Sequence, residues 1–215
     1  MSDLLFSWAA HGSRDNSSPP VIQVQSLCVR VGIRRVLENL DLVMYEGDRV
    51  YVTGSNGSGK STLLNAISGI DPARVESGRI IFLGKDVTNM PAHQRARLGL
   101  GYCRQRDNVF ADMTVEENLR LALGEGGYSR FRQNYPVFAA DLPPHKRVSL
   151  CSGGQKQRLA VAMAVLRESR LLLADEPEAG LSRHVELPSH GTLLIVSHDF
   201  QPNHAEVKHE ATNTL

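Results

Sequence analysis

No stretch of this sequence approaches the roughly 20 consecutive apolar residues that a helix needs to cross a bilayer, so a membrane span is not expected. Residues 4–10 are apolar enough to suggest a short signal core. Asp3 precedes them, however, and no Lys or Arg does, which argues against secretion. Cysteine is scarce: Cys28, Cys103 and Cys151 are far apart and make no Cys-x-x-Cys pair, which speaks against a disulfide framework or a zinc site and for a reducing compartment. An excess of charge is missing too. Lys and Arg number 24 against 23 for Asp and Glu, a net charge of +1, so no overall field gathers nucleic acid or anionic membrane, and any phosphate binding has to be local. The histidines at 11, 93, 145, 184, 190, 204 and 209 are dispersed, without the i, i+4 pairing of a helical metal site. Repeats of 20–50 residues and heptads are absent, which removes solenoids and long coiled coils.

What remains is an ordinary globular composition, 41% hydrophobic and 22% charged over 215 residues, enough chain to bury a substantial core. Residues 1–20 end in Asp15-Asn16-Ser17-Ser18-Pro19-Pro20, a turn composition that reads as a loose leader, with a single folded domain over 21–215. Branched, alternating stretches at 21–29 and 36–44, then 49–53, 78–83 and 100–103, predict strands. Leu63, Leu64 and Ile67 give residues 60–68 a helical period. Arg95, Arg97, Arg104 and Arg106 cluster locally, but Asp107, Asp112, Glu116 and Glu117 follow, so a solvated face is expected there rather than a nucleic-acid contact.

The chemistry begins at Gly54-Ser55-Asn56-Gly57-Ser58-Gly59-Lys60-Ser61, a G-x-x-x-x-G-K-S pattern between a predicted strand and a predicted helix. Its glycines let consecutive backbone N–H groups converge on phosphate oxygens, and the helix adds its positive end. Lys60 would reach the β and γ phosphates, and the Ser61 hydroxyl, with Thr62 beside it, is placed for Mg²⁺. A second cluster, Ser152-Gly153-Gly154-Gln155, opens an apolar helical run. It is either a plain capping box or, since two glycines leave backbone donors bare, an anion site. Residues 171–174 form an apolar run that ends in Asp175 and Glu176. Asp175 can hold Mg²⁺ through water, and Glu176 can take a proton from an attacking water.

Over roughly 21–200 the chain resembles the nucleotide-binding subunits of ATP-binding cassette transporters, in order as well as content. The phosphate loop is followed by Gln105, which looks like the family's glutamine loop. Then come the Ser152–Gln155 signature, Asp175 with Glu176, and His198 within Ile195-Val196-Ser197-His198-Asp199. The resemblance implies an α/β fold: a P-loop NTPase core with a mixed, mainly parallel sheet, an N-terminal antiparallel β part and a helical subdomain over about 108–168. It also implies a Mg²⁺-dependent ATPase in which two cassettes sandwich two ATP molecules, each phosphate loop facing the other subunit's signature. Gln105 would then touch Mg²⁺ and the attacking water, and His198 the γ-phosphate. The implied partners are a second cassette and membrane permease subunits, with the protein peripheral on the cytoplasmic face. Gly78 to Phe82, Gly84-Lys85-Asp86, Asn108-Val109-Phe110 and Thr114 to Leu119 look like the importers for branched-chain amino acids, amides and urea, although Thr114 with Glu117 is also a capping box.

Two other classes stay open: a non-transport cassette ATPase, and a nucleotide-binding regulatory subunit with little turnover. The second stays open because the sequence departs from the family's pattern. Val31 stands where an aromatic usually stacks on adenine, Cys151 where a Leu usually precedes the signature, and Ser182 where an Asp commonly follows. The connection 176–191 is also short. After a loop through Ser182, the nine residues 183–191, with Pro188 and Gly191 among them, cannot readily form a covering helix. The expectation is a partly uncovered sheet edge and a loosely held His198.

Overall fold

The computed structural model describes residues 4–9, 18–106, 108–177, 191–197 and 206–208. Among the described residues, ten strands and six helices follow one another in chain order. They are β1 (Leu5–Ala9), β2 (Ile22–Val31), β3 (Arg34–Met44), β4 (Arg49–Thr53), α1 (Lys60–Ser68), β5 (Ala73–Phe82), β6 (Lys85–Asp86), α2 (Ala92–Arg97), β7 (Leu100–Cys103), α3 (Val115–Leu123), α4 (Gly127–Asn134), α5 (Pro136–Asp141), α6 (Gly153–Leu166), β8 (Leu171–Asp175), β9 (Leu193–Val196) and β10 (Glu206–Lys208). A single 3₁₀ turn, Val148–Leu150, leads into α6.

The strands divide into two sheets. One is six-stranded in the order β10-β1-β4-β9-β8-β7, and the other is four-stranded and antiparallel in the order β3-β2-β5-β6. Strands β4, β9, β8 and β7 run parallel, and their near-continuous apolar sequence is what a parallel strand covered on both faces needs. The main core joins the sheets through α1: Leu63, Leu64 and Ile67 pack with Leu37 and Leu42 of β3, Val50 and Val52 of β4, Phe82 of β5 and Leu171 and Leu173 of β8. A second cluster, with Val115, Leu119, Phe131, Leu142, Val148, Leu159 and Leu166, is the core of the helical subdomain, and Cys151 is buried within it. Two capping boxes set its main helices. Thr114 and Glu117 start α3, and Ser152 and Gln155 start α6.

Three expectations need correction. First, the stretch read as a loose leader contains β1, which pairs antiparallel with all five residues of β4 and also carries β10. Alternating Leu4, Phe6 and Trp8 was the overlooked strand signal. Second, β9 is not at an uncovered edge. It lies between β4 and β8, and its four residues are buried, so the short connection still delivers an interior strand.

Third, Arg95 is not on a solvated face. It is 3% exposed, and its guanidinium donates to four carbonyls: Ala66 and Ile67 at 2.7 Å, Met90 at 2.7 Å and Thr88 at 3.0 Å. The first two belong to the last turn of α1, where orphan carbonyls and the negative helix end favour a cation. Gly69, at φ +74°, makes room, because a Cβ there would lie 2.8 Å from Arg95 Nε. Burial brings the guanidinium down to about 10, which still leaves it charged at neutral pH.

Two measurements test this architecture. In urea unfolding, Arg95→Ala should cost at least about 3 kcal/mol, because two buried and two part-buried acceptors lose their donor, whereas Arg97→Ala on the exposed side of α2 should stay within about 0.5 kcal/mol. In hydrogen exchange, the amides of Leu193–Val196 should be among the slowest in the chain. Exchange there as fast as in loops would mean that β9 is not held as an interior strand.

Candidate functional site

The phosphate loop leaves β4 at Gly54 and returns as the first turn of α1. That turn starts at Gly59 with φ +105°, has no side-chain cap and carries no acidic residue, so its backbone donors face an electropositive opening. Gly59 is dictated by packing as well as by conformation: a Cβ would sit 2.7 Å from Leu37 Cδ2 and 3.0 Å from Val36 Cγ1. The missing side chain is what lets β3 close over the loop. Lys60 is 6% exposed and folds across its own loop, donating to the carbonyls of Gly54 at 2.8 Å and Ser55 at 3.1 Å. Two of the ammonium's three N–H groups are thereby used, and one is left for an anion. Ser58 Oγ is buried with no hydrogen-bond partner among the described residues, as suits a donor awaiting an oxyanion.

These residues form one side of a cavity of about 340 Å³ lined by Val31, Arg34, Val36, Asn56, Gly57, Gly59, Lys60, Ser61, Thr62 and Glu176. Glu176 enters from the end of β8 in the left-handed region, at φ +46°, a conformation that is strained for a non-glycine residue. Its N–H is fixed by the Val196 carbonyl at 3.0 Å. Gln105, two residues beyond β7, donates from Nε2 to Glu176 Oε2 at 2.6 Å, which ties the glutamine loop to the carboxylate expected to act as base. Asp175 is 5% exposed at the end of β8, opposite Val196 in register. Burial, with the Asp175 carboxylate adding to it, pushes the neighbouring Cys103 thiol up to about 12, so it stays protonated and inert. The same two causes raise the Tyr102 phenol, whose hydroxyl donates to Asn65 Oδ1 of α1 at 3.1 Å.

Among the described residues, no three of His, Cys, Asp and Glu come together as a metal site. The oxygen donors present, Ser61 and Asp175, suit a hard cation that keeps most of its waters and its phosphate ligands, which is Mg²⁺ behaviour.

The structure thus brings together the phosphate loop, Glu176 and Gln105, but not the signature. Ser152 and Gly153 are exposed, and Gly153 and Gly154 border a different cavity, of about 530 Å³, which Gln105 also lines. Ser152 Oγ accepts from the Gln155 N–H at 3.2 Å, and Gln155 Oε1 accepts from the Ser152 N–H at 3.0 Å. A Cβ on Gly153 would meet nothing within 4 Å. His198 and Ser182 lie outside the described residues. Arg34 and Val36 line the cavity without having been singled out. Their signal was strand alternation, which puts 34 and 36 on one face. Asn118 was also missed. It is fully buried and holds the segment before α3 through Phe110 and Thr114.

Residues 37–179 match the family described as ABC transporter, and the chain belongs to that family. It is 39% identical over 153 residues to the "Probable branched-chain amino acid transport ATP-binding protein LivF" of Archaeoglobus fulgidus, covering 68% of this chain and 64% of that protein. It is 35% identical over 198 residues to the "Fe(3+) ions import ATP-binding protein FbpC" of Streptomyces coelicolor, covering 84% of this chain and 56% of that protein. The chain therefore spans less than two thirds of the length of these curated relatives. Among solved structures, it superposes on a bacterial Atm1-family ABC exporter with ATP bound at a TM-score of 0.70 and 25% identity, over 84% of this chain and 35% of that one. The fold is that of an ABC ATPase cassette, as the resemblance in its motifs implied. No helix among the described residues is long and apolar enough to cross a membrane.

The two glycines at 59 and 153 separate packing from function. Gly59→Ala should lower stability by about 2–4 kcal/mol through left-handed strain and the clash with β3. Gly153→Ala should leave the isolated chain unchanged or up to about 1 kcal/mol more stable, because its helix position has room. Paired thermal melts check both.

Proposed function

We propose that this chain is the ATP-binding and ATP-hydrolysing subunit of a membrane transporter, and that a single copy carries half of each reaction site. The observation that carries the proposal is the 2.6 Å bond from Gln105 to Glu176 at the rim of the cavity that Lys60, Ser61 and Thr62 line. That arrangement sets a carboxylate and its positioning amide beside a loop shaped for phosphates.

In this reading the N–H groups of the phosphate loop and the Lys60 ammonium take the β and γ phosphates, with Lys60 giving up its contacts to Gly54 and Ser55 as needed. Ser61, Asp175 through water, and Gln105 would hold Mg²⁺, which supplies charge neutralisation to the phosphates when bound. Glu176 accepts a proton from a water as its oxygen bonds to the γ phosphorus; the bond from that phosphorus to the β–γ bridging oxygen breaks, and ADP departs. Gln105 orients that water, and His198 is assigned to the γ-phosphate by its place in the family's motif. The Ser152–Gln155 turn serves the nucleotide of a second cassette. Exposure of Ser152 and the open space over Gly153 support this, since nothing among the described residues requires a bare backbone there.

The finer reading is an importer of small polar solutes such as amino acids or urea, working with permease subunits at the cytoplasmic face of the membrane. The likeness to LivF and the sequence of residues 78–119 support it.

Glu176→Gln removes the proton acceptor and keeps the phosphate contacts. Turnover should fall by at least about a hundredfold with Mg·ATP binding intact, and a nucleotide-bound dimer should accumulate on gel filtration. Lys60→Ala should lose binding itself. Undiminished hydrolysis in Glu176→Gln would remove Glu176 from the mechanism.

A further inference from the structure

Beside the phosphate loop, part of the cavity wall is built by the end of the β2–β3 hairpin, and its composition is unusual for a wall that packs against a base. Val31 and Arg34 are directly opposed across the two strands, which places their side chains on one face, and both line the cavity. Val36, two residues further along β3, adds a second branched side chain on that face. Among the described residues, no aromatic ring borders the cavity, so the flat group that a nucleobase packs against has to come from another kind of side chain.

Arg34 is the one planar side chain in that wall. Its neighbours are committed: Arg30 and Arg35 both hold the Glu76 carboxylate, at 2.5 and 2.7 Å. Arg34 is exposed and, among the described residues, its side chain makes no ion pair or hydrogen bond, so its guanidinium is free to turn over whatever sits against Val31. A guanidinium is planar and weakly hydrated and stacks on aromatic faces, which a lysine ammonium does not do in the same way.

We propose that Arg34 is the base-binding residue of this site: its guanidinium stacks on the purine of the bound nucleotide, while Val31 and Val36 pack against the base edge. The small side chain at Val31 is then the complement of Arg34, since a ring there would occupy the space the guanidinium needs. This assignment rests on the nucleotide reading of the cavity, and its test separates the two.

Dissociation constants for Mg·ATP and for inorganic tripolyphosphate are measured by calorimetry on the wild type, Arg34→Ala, Arg34→Lys and the double variant Arg34→Ala with Val31→Tyr. Stacking predicts that Arg34→Ala weakens ATP about tenfold. Arg34→Lys, which keeps the charge and loses the plane, should show most of that loss. Tripolyphosphate should bind all of them alike, and the double variant should regain ATP affinity through its new ring. Equal ATP affinity in wild type and Arg34→Ala overturns the assignment. So does an equal loss of ATP and tripolyphosphate in Arg34→Ala, which would make Arg34 a phosphate ligand, and so does full retention of ATP affinity in Arg34→Lys. A wild type that binds tripolyphosphate but shows no gain for ATP removes the base contact and leaves the phosphate site standing. One that binds neither removes the nucleotide reading and Arg34's role with it.

Discussion

Four parallel strands kept in register decide where the phosphate loop, Gln105, Asp175 and Glu176 of this protein can be. Val52 of β4 faces Val196 of β9, Asp175 of β8 faces the same Val196, and Cys103 of β7 faces Ala174. Parallel strands deliver their C-terminal ends to one edge of the sheet, the edge where ligands of open α/β sheets bind. The phosphate loop, the glutamine, the carboxylate pair and Ser197 therefore emerge side by side, although they are spread in sequence from Gly54 to Ser197. A shift of one residue in β8 would turn Asp175 and Glu176 to opposite faces and dissolve the site.

That register is held by apolar burial more than by specific polar contacts. Strands β8 and β9 offer Leu171, Leu172, Leu173, Leu193, Leu194, Ile195 and Val196, none more than 5% exposed. Each such side chain contributes about 1.5–3 kcal/mol when fully buried. A sum of that size tolerates a short connection between the two strands, provided the chain reaches from one to the other. Strand β1 helps in the same sense: by pairing along the whole of β4 it removes an open edge beside the phosphate loop. The polar contacts do a different job. Arg95 ties the end of α1 to the loop before α2, and Tyr102 ties α1 to β7, so the helix that carries Lys60 and Ser61 is anchored toward both sheets.

Legibility in the sequence followed the range of the interactions. Strand β4, helix α1 and strand β7 have the bounds that their periodicity predicts, because pattern and local hydrogen bonding agree there. Capping boxes at Thr114 and Ser152 were readable because both partners lie within three residues. Arg95 was not, since its acceptors at Ala66 and Ile67 are 29 and 28 positions away and a charge count cannot see them. Arg34 was hidden for a related reason: whether it faces solvent or the cavity depends on which residue of β2 it opposes. The short helices α2, α4 and α5 carry too few turns to show a clear period. Residues 183–190 and His198 lie outside the described part, so the sequence remains the source for them.

The signature turn shows where one chain stops explaining itself. The capping box at Ser152 accounts for the start of α6 and for the serine and glutamine in it, but it makes no demand for glycine at 153. Glycine in a helix costs about 1 kcal/mol against alanine, and the space around Gly153 would admit a side chain. At Gly59 the glycine is required by the chain's own backbone and by β3; at Gly153 nothing among the described residues requires it. A bare backbone on an exposed helix start is useful where another group has to come closer than a Cβ allows. Among the described residues of one chain no such group is present. The phosphate loop, by contrast, has donors on one side of its ligand and leaves the other side open. Two copies placed so that each exposed turn closes the other's open side would supply both wants with the same contact, which is why the unexplained glycine and the half-built cavity are best read together.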